Sequence, residues 1–375
     1  MDDARDDRAH EEERQPDSVP ARLGARVRAV IADAGGWLPF DRFMALVLYE
    51  PGLGYYANAS RKFGAMPSSG SDFVTAPELS PLFGRALARQ LAQALAASGT
   101  DEVWEFGAGT GALAMQLLEA LGERVRRYTI VDLSGALRAR QRAKLVAFGD
   151  RVHWADSLPA QMRGVVVGNE VLDAMPVQLL HFTGKAWLQR GVVAAEGGFE
   201  WSDRPSDLRP PLDTGFVPGT VTEIHPQADA FIATLGERLS CGAAFFLDYG
   251  FPEAEYYHPQ RTGGTLMCHR AHRADPDPLS ALGLKDITAH VNFTGVALAG
   301  QSAGMEVLGY TSQGRFLLNC GLAELMGEAD LRAAIPAQKL VLEHEMGELF
   351  KVIGFSRGCR FDALGFTEGD RTHRL

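Results

Sequence analysis

The segment VWEFGAGTGALA, residues 103–114, constrains the fold more than any other part of the sequence. An apolar run of strand-forming residues leads into Gly107, Gly109 and Gly111, and a helix-forming run follows. Glycine adopts positive φ angles at little cost and lets a ligand approach the backbone closely. The pattern predicts a strand, a tight turn and a helix, with a nucleotide-containing ligand at the turn.

Strand and helix patterns keep alternating after this turn. Strands are predicted at RYTIVDL, RVHWADSL, GVVVGNEVL and AAFFLDYG, and a helix is predicted at GALRARQRAKLVAF between the first two. Strands that alternate with helices of 10–15 residues are typical of parallel sheets with crossover helices. We therefore expect an α/β fold.

The remaining regions give the expected domain organisation. Residues 1–20 are highly charged and poor in large apolar side chains, which predicts a disordered acidic tail. Residues 21–98 form an N-terminal cap segment with a helix at 21–34. Residues 99–375 carry the sheet, with insertions near 177–203 and 251–290.

Composition excludes several classes of protein. A net charge of -10 argues against a general nucleic-acid binder. The chain has no run of eighteen apolar residues, so a membrane span is not expected. The four cysteines form no CxxC pair, and the acidic start is unlike a secretory or mitochondrial targeting segment. These features predict a cytoplasmic location.

The glycine turn fits two cofactors. Gly107, Gly109 and Ala112 satisfy the dinucleotide fingerprint, and Asp132 lies where a ribose-binding acid belongs, so NAD fits the spacing. Glu105, two residues before the first glycine, instead favours S-adenosylmethionine, because a carboxylate suits a cationic amino group better than a pyrophosphate. Asp156 follows the third strand and could accept from an adenine amino group. The third possibility is that the glycine turn binds no ligand.

Several further blocks resemble one methyltransferase family. The resemblance spans about residues 21–358 and rests on SGSDFVTAPELSPLFG, EFGAGTGALA, VVVGNEVLDAMPVQ, FFLDYG, YYHPQRTGGTLMCHRAH and DITAHVNFT, in this order. These blocks are similar to those of the MidA-type methyltransferases, the bacterial family related to the mitochondrial NADH dehydrogenase assembly factor NDUFAF. The sequence departs from the family pattern at Asp132, where a glutamate is expected.

The resemblance implies a class I methyltransferase fold: a Rossmann-like seven-stranded sheet with a helical N-terminal cap and an insertion before the last strands. It implies S-adenosylmethionine as the methyl donor and a bacterial protein that methylates arginine in a protein partner. A subunit of respiratory complex I is the partner suggested by the mitochondrial relative. The oligomeric state is not predicted.

Roles for the cofactor site follow from these assignments. The three glycines would admit the cofactor, Glu105 would bind its ammonium, Asp132 its ribose and Asp156 its adenine. For each acid, the alternative is a solvated strand end or a helix cap. Ser71 and Thr75, with Asp72 and Glu78, lie in the cap segment and would close the site.

The predicted catalytic residues follow the fourth strand of the sheet. Glu170 and Asp173 lie where an open α/β sheet carries its active site, and they could hold and polarise a guanidinium. Asn169 would orient either acid by a hydrogen bond. Asp248, at the end of another strand, is a weaker candidate, and His225 could take a proton after transfer.

Two other functions stay open from the sequence alone. The chain could be a methyltransferase-like assembly protein that binds a partner without turnover, or a methyltransferase of small molecules. Cys268, His269 and His272 suggest a metal, but they lack a fourth ligand at a useful spacing, so no metal is expected.

Overall fold

The computed structural model describes residues 17–58, 74–132, 134–213, 215–270 and 273–375. The chain divides into two compact units. Of the described residues, the first unit contains 17–58, 174–213, 215–227, 257–270 and 273–289, and the second contains 74–132, 134–173, 228–256 and 290–375. The predicted tail falls largely outside the described residues, as does Ser71.

The strands, in chain order, are β1 (Leu38–Pro39), β2 (Glu102–Phe106), β3 (Arg127–Val131), β4 (Val152–Ala155), β5 (Met162–Asn169), β6 (Gln178–Phe182), β7 (Trp187–Ala195), β8 (Gly198–Pro205), β9 (Val221–Ile224), β10 (Leu239–Phe251), β11 (Met267–Arg270), β12 (Arg273–Asp275), β13 (Asp286–Thr288), β14 (Val291–Asn292), β15 (Glu306–Ser312) and β16 (Phe350–Arg357).

The helices are α1 (Val19–Asp33), α2 (Phe40–Tyr49), α3 (Ala76–Leu79), α4 (Pro81–Ser98), α5 (Ala112–Leu121), α6 (Gly135–Lys144), α7 (Pro226–Arg238), α8 (Glu253–Tyr256), α9 (Phe293–Ser302), α10 (Gln313–Asn319), α11 (Leu322–Glu328) and α12 (Leu331–Ala337). None of these helices has both the length and the apolar character needed to cross a membrane.

The second unit is built on the predicted sheet. Its strand order is β15-β16-β10-β5-β2-β3-β4, with the short β14 beside the end of β10. The five strands from β10 to β4 run parallel, and β16 is antiparallel to both of its neighbours, β10 and β15. The seven-stranded Rossmann-like prediction is therefore confirmed, and β14 adds one short strand to it.

Helices cover both faces of this sheet, as a parallel sheet requires. On one face α4 and α5 pack on inward side chains of the strands, among them Val103, Val165 and Phe245. On the other face the α7 ring Phe231 lies between Phe106 and Phe246, at centroid distances of 5.0 and 5.8 Å. Because both faces of the sheet are buried, the sequences of its central strands are continuous apolar runs.

The first unit has its own antiparallel sheet. Its order is β1-β7-β6-β9, and β8 pairs with the other edge of β7. The N-terminal segment and the insertion predicted near 177–203 thus share one sheet, which joins Leu38 to Val192. The second insertion forms the three-stranded sheet β12-β11-β13. Helix α4, which the sequence boundaries place in the cap segment, belongs to the second unit because it packs on α5.

Two glycines allow β5 to approach both of its neighbours. Gly164 has φ 116°, and a Cβ there would lie 2.2 Å from the carbonyl oxygen of Glu102 in β2. Gly242 in β10 has φ 149°, and a Cβ would lie 1.8 Å from the carbonyl oxygen of Gly164. No side chain fits either position unless the strands separate.

We expect Gly242→Ala to destabilise the protein by more than about 3 kcal/mol, because its Cβ meets backbone and not a movable side chain. Urea unfolding measures the change. Gly135→Ala is the matched control, since nothing lies within 4 Å of its Cβ and its φ is not positive. It should stay within about 1 kcal/mol of the wild type. Equal effects of the two substitutions would contradict this account of the strand contact.

Candidate functional site

The predicted glycine turn joins β2 to α5. All three glycines adopt positive φ: 62° at Gly107, 53° at Gly109 and 79° at Gly111. Gly111 is the N-cap of α5, and no side chain caps that helix within the described part of the chain. A Cβ at Gly107 would lie 3.0 Å from Cγ2 of Val171. The turn is therefore a narrow backbone cradle at a helix N-terminus, a geometry suited to a nucleotide-containing ligand.

Glu105 lies in β2 and is only 2 % exposed. The Tyr128 hydroxyl donates to its Oε2 at 2.8 Å. Burial raises the pKa of Glu105 to about 8, and the hydrogen bond from Tyr128 opposes that rise. Burial therefore favours the protonated form of this carboxyl. Its predicted role as the ammonium-binding group stays a prediction, and it requires this proton to leave.

Asp132 follows β3 directly, and both of its carboxylate oxygens are held. Oδ1 accepts from the backbone N–H of Ser134 at 2.9 Å, and Oδ2 accepts from Nε2 of Gln141 at 2.8 Å. Burial raises the pKa of Asp132, and these hydrogen bonds lower it. The buried, oriented carboxylate at the strand end suits the predicted contact with ribose hydroxyls.

Helix α6 ties the neighbouring strand ends together through Arg138. Its Nε donates to the carbonyl of Asp132 at 2.8 Å, and Nη2 donates to the carbonyl of Ala155 at 2.8 Å. Nη1 pairs with the carboxylate of Asp156, whose side chain is 89 % exposed. Asp156 therefore pairs with an arginine, a contact that the sequence did not suggest, and its role at the adenine stays a prediction.

The segment before α4 reaches the same turn. The hydroxyl of Thr110 donates to the carboxylate of Glu78 in α3, and Lys144 Nζ donates to Thr110 Oγ1 at 3.1 Å. Thr75 is the N-cap residue of α3 and is half-buried. Of the predicted cap residues, Glu78 thus contacts the glycine turn through a side chain, and Ser71 and Asp72 lie outside the described residues.

The second group of predicted residues follows β5. Glu170 has φ 52°, one of two positive φ angles among the described non-glycine residues. Its backbone N–H donates to the carbonyl of Leu247 at 2.9 Å, and Asn169 Nδ2 donates to its Oε1 at 3.0 Å. This hydrogen bond is the contact that the predicted orienting role of Asn169 requires, and the role itself stays a prediction. A left-handed glutamate costs about 1–3 kcal/mol, and such strain clusters at functional positions.

Asp248 organises this turn from the neighbouring strand. Its Oδ2 accepts backbone N–H bonds from Val171, Leu172 and Asp173 at 3.1, 2.9 and 3.3 Å. Its Oδ1 accepts from the N–H of Tyr249 at 3.0 Å. The carboxylate oxygens of Asp248 are thus committed to backbone, so its geometry suits positioning of the turn rather than the predicted contact with substrate.

Three carboxyl groups meet at this turn. Burial, then the charge of Asp173, then the charge of Glu170 raise the pKa of Asp248 well above its usual range. Asp173 is 5 % exposed and Asp248 is 1 % exposed. Like charges in a buried site raise one another's pKa, and a nearby cation reverses that effect. We name Glu170, Asp173 and Asp248 the carboxylate cluster.

His225 lies in the first unit and is buried. Burial lowers its pKa to about 4, which makes the imidazole a weak proton acceptor at neutral pH. Cys268 is also buried, and burial raises the pKa of its thiol to about 12. His272 lies outside the described residues. Among the described ones, no three His, Cys, Asp or Glu side chains are arranged to hold a metal ion.

Sequence reasoning missed two polar residues of α6, Arg138 and Gln141. They occur six and nine residues after Asp132. Arg138 and Gln141 are three residues apart near the start of the predicted helix, and residues at this spacing share one helix face. The sequence could therefore have placed both side chains on the face of α6 that points to the strand ends. Neither belongs to a recognised motif, which is why the pattern did not select them.

The buried acid Glu105 gives a testable pH dependence. Its folded pKa, about 8, exceeds the usual value of 4.5, so between these pH values the folded state retains a proton that the unfolded state releases. The free energy of unfolding should fall as pH rises through this window, by up to about 1.4 kcal/mol per pH unit. Glu105→Gln, measured by urea unfolding, should show a shallower fall than the wild type. Below pH 4 the two curves should run parallel, and parallel curves at every pH would refute the shifted pKa.

A solved structure is similar to this chain over nearly its full length. It is a candidate methyl transferase from Burkholderia thailandensis bound to S-adenosylhomocysteine, with 54% sequence identity and a TM-score of 0.91, covering 94% of this chain and 96% of that chain. The glycine cradle and the oriented carboxylate of Asp132 fit the adenosyl group of such a ligand. S-adenosylmethionine is therefore the cofactor.

Curated relatives are similar at lower identity. "Protein arginine methyltransferase NDUFAF7, mitochondrial" of Danio rerio is 26% identical, over 85% of this chain and 83% of its own length. The Drosophila melanogaster homologue is 25% identical, over 92% and 88%. The family described as "Putative S-adenosyl-L-methionine-dependent methyltransferase" matches residues 86–311, more than half of the chain. The protein belongs to this family and is an S-adenosylmethionine-dependent methyltransferase.

Proposed function

We propose that this methyltransferase acts on the guanidinium group of an arginine in a protein partner. The observation that carries the proposal is the carboxylate cluster at the carboxyl end of β5 and β10. Burial, and then the charges of Asp173 and Glu170, raise the pKa of Asp248, and a bound cation offsets the repulsion among these charges. A neutral acceptor would leave the repulsion in place.

The cluster also has the hydrogen-bonding geometry that a guanidinium requires. The guanidinium is planar and carries five N–H donors, which pair in parallel with carboxylate oxygens. Asn169 fixes one carboxylate, Glu170, by donating to its Oε1 at 3.0 Å. Glu170 and Asp173 are proposed to hold the fork, while Asp248 positions both through the backbone of the turn.

The cofactor supplies an electrophilic methyl group on a sulfonium sulfur. The guanidinium nitrogen forms the new C–N bond as the S–C bond breaks, and the nitrogen then loses one proton. A carboxylate that aligns and polarises the guanidinium raises the availability of the nitrogen lone pair. The same carboxylates are proposed to accept that proton, since the pKa of buried His225 is lowered to about 4.

The names of the curated relatives support this choice of acceptor. The relatives in Danio rerio and Drosophila melanogaster are named as protein arginine methyltransferases. A protein partner is proposed on the same grounds. The first candidate is a respiratory complex I subunit, which the family resemblance implies.

An assay with methyl-labelled cofactor tests the acceptor. The protein is incubated with a lysate of cells that lack it, and the protein fraction is hydrolysed and separated into amino acids. We expect label in methylarginine. Label in a low-molecular-weight fraction would favour a small-molecule methyltransferase instead, and an absence of transferred label would favour a binding protein without turnover.

Glu170→Gln should lower methyl transfer by roughly two to three orders of magnitude, about 3–4 kcal/mol of barrier, which is typical of one preorganised electrostatic group. The substitution keeps the shape and removes the charge. Binding of S-adenosylhomocysteine, measured by calorimetry, should stay within a few-fold, because the glycine turn and Asp132 are unchanged.

Glu123→Gln makes the same chemical change at an exposed position and should leave both quantities unaltered. If Glu170→Gln abolishes cofactor binding together with transfer, the glutamate serves the cofactor and not the arginine. If it changes neither, the acceptor binds elsewhere and the arginine proposal loses its physical basis.

A further inference from the structure

Gln141 joins the ends of three strands through one buried amide. The residue lies in α6 and is fully buried. Its Nε2 donates to the carbonyl oxygen of Gly109 at 2.9 Å and to Oδ2 of Asp132 at 2.8 Å. Its Oε1 accepts from Nε1 of Trp154 in β4 at 2.9 Å. One side chain thus contacts the turn after β2, the residue after β3 and a residue within β4.

The three partners determine the orientation of this amide. The two partners of Nε2 are acceptors, and the indole N–H of Trp154 is a donor only. A flipped amide would place its oxygen against the Gly109 carbonyl and the Asp132 carboxylate, and its NH₂ group against the indole N–H. The network therefore selects one orientation and leaves no polar atom of the Gln141 side chain without a partner.

The same contact fixes the carboxylate plane of Asp132. One oxygen accepts from the N–H of Ser134 and the other from Gln141. A carboxylate oxygen can accept two hydrogen bonds, so each retains capacity for a further donor. Without Gln141, the side chain of Asp132 would keep one of its two orienting hydrogen bonds and could rotate.

The glycine turn is held by the other hydrogen bond of Nε2. The backbone at Gly109 has φ 53°, and its carbonyl points to Gln141. Gly111 also packs on this residue, since a Cβ there would lie 3.5 Å from Cγ of Gln141. The amide thereby sets the position of the turn relative to Asp132, two parts of the site that the sequence separates by more than twenty residues.

We propose that Gln141 is a positioning residue for the cofactor, which it does not itself contact. It aims the Asp132 carboxylate at the two ribose hydroxyls and holds the glycine turn in register with that carboxylate. The proposal rests on the assignment of the ribose to Asp132. It predicts that loss of Gln141 weakens recognition of the ribose hydroxyls selectively, whereas loss of an ordinary buried glutamine weakens the binding of all ligands alike.

Calorimetry with two ligands tests this prediction. The first is S-adenosylhomocysteine, and the second is its analogue that lacks the 2′ and 3′ hydroxyls. The wild type should bind the first about 100-fold more tightly, because hydrogen bonds to a charged group are stronger than neutral ones. In Gln141→Met this preference should fall below about tenfold, while affinity for the dideoxy analogue changes less than about threefold.

Gln116→Met is the matched control. Gln116 is also a buried helical glutamine, with Nε2 donating to the carbonyl of Pro77 at 2.7 Å and Oε1 accepting from the N–H of Gly84 at 3.0 Å. It should retain the full preference for the hydroxylated ligand even if its melting temperature falls. Gln141→Glu, which keeps the size and the acceptor for Trp154, replaces the methionine variant if that variant does not fold.

Asp132→Asn separates the proposal from its assumption. If this variant keeps the wild-type preference, Asp132 does not bind the ribose and the proposal fails with that assignment. If Asp132→Asn removes the preference but Gln141→Met retains it, Gln141 has only a structural role. Loss of the preference in both, with retention in Gln116→Met, supports the proposed positioning role.

Discussion

A single carboxylate oxygen, Oδ2 of Asp248, accepts three consecutive backbone N–H groups from the turn that follows β5. This interaction converts the end of a buried strand into a compact turn with fixed backbone directions. It fixes the backbone from Val171 to Asp173, and Val171 lies against the first glycine of the cofactor turn. The turn that carries the proposed acceptor site therefore contacts the glycine turn through Val171, and both turns depend on β10 being next to β5.

The carboxyl edge of the sheet concentrates acids where water is excluded. Burial is the largest cause of the raised pKa values of Glu105, Asp132 and Asp248. The described hydrogen bonds to these carboxyl groups come from neutral donors, namely Tyr128, Gln141 and backbone N–H groups, and Arg138 contacts the carbonyl, not the carboxylate, of Asp132. The edge is thus prepared for positively charged ligands, which agrees with a cofactor that carries a sulfonium and an ammonium group.

The local pattern of the sequence was sufficient for the sheet and the glycine turn. Apolar strands of five to eight residues, such as β2 and β5, and the phased helices between them are determined by neighbours along the chain. The sheet shared by β1 and β7 could not be predicted, because it joins Leu38 to Val192 with no local signal for the pairing. For the same reason the sequence indicates Asp248 as a candidate for substrate contact and not as the residue that orders the turn after β5: its three amide partners lie some 75 residues earlier in the chain. Polar contacts across distant segments depend on the register of the strands, which a single sequence does not display.

The positive φ of Glu170 has a consequence for how this protein could be engineered. Glycine adopts such a backbone conformation without the cost that a glutamate bears. A glycine at position 170 would also remove one of the charges that raise the pKa of Asp248. A library selected for heat resistance alone would therefore tend to discard the residue proposed to hold the arginine. Thermal stability and turnover therefore favour different residues at position 170. Directed evolution of a more stable enzyme has to measure both properties.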